Sequence, residues 1–134
     1  MYFGFFKKKE VAKFKLSDSG GYWWDSKNSP EFDLVAHFLI TDISTRKDTP
    51  FTDWLDKPHM VSMQGNTAFI ELLEDEIVEI RDVLDDFDLD DPVFRMPKEE
   101  FRKMVLQWQK IVANRPKEIV VTWDGEKIRV EGKD

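Results

Sequence analysis

The chain has 134 residues, 27 acidic against 20 basic, and a formal net charge of −7; 41 % of its residues are hydrophobic and 35 % charged. That is enough for one compact domain with a real core under a charged surface, and it argues against global disorder. With no cysteine and only two histidines, His37 and His59, disulfides, thiolate metal sites and cysteine nucleophiles are excluded and little imidazole chemistry is left.

The opening residues, Met1 to Phe6 followed by three lysines, place charge after the apolar stretch, the reverse of a secretory signal. No apolar run reaches the ~20 residues of a membrane span. A cytoplasmic protein without membrane contact is expected.

In chain order, Tyr2 to Phe6 and Val11 to Leu16 read as short strands, with Ala12, Phe14 and Leu16 on one face. Ser17 to Gly21 is turn chemistry, Tyr22-Trp23-Trp24 an aromatic cluster, and Asp25 to Pro30 a polar loop. Phe32 to Ile43 is apolar on both parities, which suits a central strand covered on both sides and carrying His37. Thr49 and Pro50 open a short helical turn through Leu55. His59 to Met63 is a candidate strand, and Gln64-Gly65-Asn66 is a turn.

Phe69 to Leu73 and Ile77 to Val83 form either an antiparallel hairpin or a single helix from Phe69 to Leu84. The β-branched residues and the Gly65-Asn66 turn favour strands, while the Glu and Leu content supports the helix. Asp85 to Asp91 is too acidic to pack against itself and reads as a solvated loop. Phe101, Met104, Val105, Trp108, Ile111 and Val112 trace one helical stripe, started by Pro97, Glu99 and Glu100 and ended by Asn114-Arg115-Pro116. Lys117 to Trp123, an Asp124-Gly125 turn and Lys127 to Glu131 form a two-residue hairpin. With no repeat and no linker, residues 1–134 read as one α+β domain: a mostly antiparallel sheet with the long helix on one face.

The charge is unevenly placed. Residues 71–91 hold eleven acidic side chains and one basic, Arg81, so this segment carries −10 and the rest of the chain +3. The candidate partner-binding carboxylates are Glu71, Glu74, Glu76, Glu79, Asp82, Asp85, Asp86, Asp88, Asp90 and Asp91. Complementary charge of this density steers a cationic partner, while solubility and edge-strand protection explain outward acids equally well.

Other constellations are weaker. Asp86-Phe87-Asp88-Leu89-Asp90 has calcium-loop spacing but lacks the glycine at position six and the glutamate at twelve, so no metal is assigned. Phosphate loops, serine-hydrolase elbows and zinc-protease motifs are all missing, so no catalytic residue or cofactor is assigned. Lys7, Lys8, Lys9, Lys13 and Lys15 around Phe14 suggest nucleic acid, which the net negative charge opposes.

From about Thr67 to Glu131 the chain resembles immunity proteins of bacterial polymorphic-toxin and contact-dependent growth-inhibition systems. The likeness lies in the acidic strand pair, the Asp-rich connection, the Met96-Pro-Lys-Glu-Glu-Phe101 helix start with Trp108 beyond it, and the closing Pro116 to Gly125 hairpin. The resemblance implies a non-enzymatic protein that binds and neutralises a cognate toxin, often a basic nuclease. An acidic module that binds another protein or itself, and a small carboxylate enzyme, are the alternatives.

Overall fold

A computed structural model describes residues 9–24, 28–57, 61–84 and 91–134. Within them lie two four-stranded antiparallel sheets and three helices, so the chain is α+β, but with two sheets where one was expected. The first sheet has the order β2-β1-β7-β8, from Tyr22–Trp24, Glu10–Leu16, Glu118–Trp123 and Ile128–Lys133. The second has the order β3-β4-β5-β6, from Ser62–Gln64, Ala68–Leu73, Ile77–Asp82 and Phe94–Pro97.

In β1, alternation sends Ala12 and Phe14 into the core and Val11, Lys13 and Lys15 to solvent. Residues 69–84 resolve as the hairpin and not the helix: β4 and β5 pair from Ala68↔Asp82 to Leu73↔Ile77. The β7–β8 hairpin is also present, but Asp124 N–H donates to Lys127 O and Gly125 takes φ +103°. Its turn is therefore centred on Gly125-Glu126, one residue later than the Asp-Gly pair suggested.

The strand expected from Phe32 to Ile43 is a helix. α1 spans Pro30–His37 and runs on as a wider π-helical turn, Phe38–Ile43. Ser29 Oγ accepts from Phe32 N–H at 3.2 Å, Pro30 occupies the first turn, and Glu31 and Asp33 add favourable charge there. Buried Phe32, Val35, Ala36, Leu39 and Ile43 follow helical spacing, and apolar residues on both parities mark an element buried nearly all round. Consequently His37 sits exposed in the last turn, its ring 5.4 Å from that of Trp24, and is neither a strand nor a core histidine.

α2, Pro50–Asp53, tightens into a 3₁₀ turn at Trp54–Asp56. α3, Lys98–Val112, buries Phe101, Met104, Val105, Trp108 and Val112 as its stripe requires. It lies close to the first sheet, where Ile111 and Pro116 crowd Gly132 so tightly that an added Cβ would come within 3.0 Å of Ile111.

One core joins both sheets and all three helices. Phe14 meets Trp108 edge-on at 4.9 Å, and Phe94 of β6 meets Trp123 of β7 at 5.3 Å and Phe32 at 5.4 Å. Phe38 contacts Phe51 and Phe101 at 5.2 and 5.6 Å. Such pairs contribute roughly 0.5–1.5 kcal/mol each beyond buried area. The buried indoles are satisfied too: Trp54 Nε1 donates to Phe51 O and Trp108 Nε1 to Ser44 O. Among the described residues no helix is long and apolar enough to cross a membrane.

Candidate functional site: the acidic face of the second sheet

The register of β3 to β6 decides where the acidic residues go. Ser62, Glu71, Glu79 and Arg95 stand side by side across the four strands, with Phe69 and Arg81 in the adjacent row. The opposite face holds Ile70, Val78, Ile80, Phe94 and Met96 and is core. Glu71 and Glu79 are thus like charges directly opposite one another, normally an unfavourable pair.

The pair is tolerated because Glu79 is neutralised. Its Oε1 accepts from Arg81 Nε at 2.8 Å and its Oε2 from Arg95 Nε at 2.7 Å, leaving the carboxylate 2 % exposed on the sheet's outer side. Removing a carboxylate from water is costly unless cations and hydrogen bonds replace the lost solvation, as two arginines do here. Glu79 is therefore spent inside the protein, whereas Glu71 beside it is partly exposed.

The remaining acids separate to two ends of β5. Glu74, Asp75 and Glu76 form the β4–β5 turn, all exposed, with Asp75 and Glu76 at φ +62° and +59°. Within this turn Glu76 reaches Lys98 Nζ at 3.9 Å. At the other end, Asp82 is exposed and its Oδ1 accepts from Leu84 N–H at 2.8 Å; Asp91 lies on the approach to β6, half-buried. A six-residue strand separates these ends by about 20 Å, so among the described residues the acids at the two ends do not share one patch. Asp85, Asp86, Asp88 and Asp90 lie outside the described residues, as do His59 and the Tyr2 to Phe6 strand.

No family model, curated protein or solved structure matches this chain.

Another buried carboxylate, Asp42 in the π-helical turn, carries no motif in the sequence. It is 5 % exposed and grips the β3–β4 turn. Its Oδ1 accepts from Asn66 and Thr67 N–H at 2.9 Å, and its Oδ2 from Ala68 N–H and Thr67 Oγ1 at 3.0 Å. Gly65 is required beside it, because a Cβ there would stand 2.5 Å from Asp42 Oδ2. The only trace in the sequence is a lone acid inside Phe38-Leu-Ile-Thr-Asp-Ile43.

The described residues contain no group of three His, Asp or Glu placed to hold a metal ion. A cleft of about 170 Å³ opens between Tyr22, Ile40, Trp108 and Arg115. Another, of about 260 Å³, lies between Asp42, Arg46, Phe51 and Gln64. Asp42 is occupied by backbone N–H groups and the Thr67 hydroxyl; a third cleft, of about 290 Å³, is lined by two carboxylates, Asp48 and Asp53, of which Asp53 accepts from Thr49 Oγ1 and Asp48 lies 3.3 Å from Arg46 Nε. Lys13 and Lys15 point outward while Phe14 points into the core, which breaks up the basic-aromatic stripe considered for nucleic acid. Trp23 stands exposed, and Tyr22 and Trp24 are half-buried against the sheet.

Proposed function

We propose that this protein is a non-enzymatic immunity protein that neutralises a cognate, basic, nuclease-like bacterial toxin through its acidic surface. The carrying observation is the −10 segment at residues 71–91, in a chain whose remainder is slightly positive. The geometry supports this reading by what it leaves available: Glu79 is internally paired, while Glu71, the Glu74–Glu76 turn and Asp82 face solvent. Such carboxylates imitate the phosphate charge that a nuclease's site attracts and accelerate encounter more than they deepen affinity. The resemblance of residues 67–131 to immunity proteins supplies the partner class. No cofactor or metal is part of this reading.

The test is co-expression with the toxin encoded beside the gene, followed by binding kinetics. Rescue of growth is expected. Reversal of Asp86, Asp88 and Asp90 to lysine slows association chiefly at low salt, where the Debye length is about 30 Å at 0.01 M. An unchanged on-rate removes these three aspartates from the interface, and absence of rescue removes the toxin as partner.

A further inference from the structure

The outer face of the first sheet has the opposite character. Its rows, set by the register, run Trp23–Lys15–Glu118–Lys133, then Lys13–Val120–Glu131, then Val11–Thr122–Arg129. Four cations therefore face two carboxylates on one open sheet surface, in a chain of net charge −7. Trp23 and Val11 are exposed by 47 % and 37 % amid these cations, whereas Val120 at the centre is 8 % exposed. The Arg129–Glu131 contact is loose, 3.7 Å between well-exposed groups, and leaves Arg129 open to a better-placed acid.

We propose that this face docks the acidic β4–β5 turn of a second copy of the chain. The fit is one of charge. The turn bears three consecutive exposed carboxylates, Glu74, Asp75 and Glu76, opposite in sign to the four cations, with Glu76 held only by a loose 3.9 Å contact to Lys98 Nζ. The net charge of −7 opposes an extended polyanion along its whole length; a second copy meets that repulsion too, so the contact rests on local pairing of the acidic turn with these cations, beside exposed Trp23 and Val11. Turn and face are different surfaces, so the contact is heterologous. Each added copy leaves one tip and one face free, and assembly proceeds head to tail as concentration rises. The attraction acts between exposed charges and is screened by salt.

The experiment is sedimentation of the full chain at about 0.01 M and about 1 M salt, where the screening lengths are about 30 and 3 Å. The proposal expects a weight-average mass that climbs above the 15.9 kDa monomer with concentration at low salt and returns to it at high salt. A mass that stays at the monomer at both salts overturns it.

Two variants separate the specific contact from general charge effects. Glu74→Lys with Glu76→Lys brings the net charge from −7 to about −3, which general repulsion says should promote association; the proposal expects association to be lost. Lys13→Glu with Lys15→Glu removes the other surface, and each variant alone is expected to be monomeric. Mixed together they restore one intact tip and one intact face, and the reversed tip and reversed face are complementary in turn, so the mass rises above the monomer; a mixture that remains monomeric overturns the proposal. Circular dichroism checks folding, with Lys13→Gln and Lys15→Gln as the milder pair. The outcome does not depend on any toxin, so it stands or falls separately from the immunity reading.

Discussion

The second sheet is tied to buried carboxylates in two places, and the two solve the same problem differently. Around Asp42 the donors are backbone N–H groups and one hydroxyl of the β3–β4 turn, fixed in position by the chain itself. Around Glu79 they are two guanidinium groups on long side chains, one of them, Arg95, still 38 % exposed. The first arrangement solvates a charge with rigid dipoles and fixes a turn. The second cancels a charge with opposite charges and clamps two strands, β5 and β6. Backbone dipoles cannot relax away when the acid is removed, while exposed side chains can swing into water.

Asp42→Ala should therefore be the most damaging single change. It strands several donors at once, each charge-assisted bond being worth roughly 1.5–3 kcal/mol, and an overall loss of about 4 kcal/mol is expected after partial rehydration of the turn. Chemical denaturation measures it; a loss below about 1 kcal/mol would show that water replaces the carboxylate freely. Glu79→Gln comes next, at about 3 kcal/mol, because two cations lose their counter-charge on a largely covered surface. Arg95→Gln should cost less, about 1 kcal/mol, since Arg95 is partly solvated and Arg81 remains. Equal losses for Glu79→Gln and Arg95→Gln would mean that the two arginines act only as a pair.

Gly65→Ala sharpens the contrast from the other side. The added methyl meets Asp42 Oδ2, and overpacking of this kind costs about 2 kcal/mol. In the Asp42→Ala background that cost should fall, leaving only the tight 3.1 Å contact with Phe51 Cζ, as a double-mutant cycle would reveal.

The smallest effect belongs to an exposed relative of the Asp42 arrangement. Asp124 Oδ1 accepts from Glu126 and Lys127 N–H at 2.9 and 2.8 Å, and these backbone donors hold its carboxyl below the usual value near 3.8. A depressed folded-state value contributes stability above the unfolded value and loses it as pH falls through the folded one. The difference in melting temperature between the parent and Asp124→Ala should thus be constant from neutral pH down to about 5, begin to shrink near the unfolded value of about 4, and vanish only once pH has fallen through the lower folded value. A difference that persists into stronger acid would trace to the turn's backbone and not to the charge.

What could be read in advance follows the same division between local and distant. α3 announced itself because its stripe, Phe101 to Val112, is a property of consecutive turns, and the β4–β5 and β7–β8 hairpins because alternation and turn residues adjoin each other. α1 is not legible as a helix because Phe32 to Ile43 is apolar on both parities, and only Ser29-Pro30 marks its start. β6 went unseen behind the acidic run, its four residues including Arg95 and Pro97. Partition into two sheets is a fact of pairing between remote segments, which periodicity does not encode. Among the candidate site residues, strand parity already set Glu79 and Arg81 on one side, but the third member of that cluster, Arg95, arrives from another strand and turns a presumed docking acid into an internal one.

β6 ends at Pro97 and α3 begins at Lys98, with no connecting loop. The strand that closes one sheet is thus continuous with the helix packed beside the other, and the Glu76–Lys98 contact falls at the same joint. The helix runs without a break from the acidic turn, touched at Lys98, to the first sheet, where Ile111 near its far end packs against Gly132.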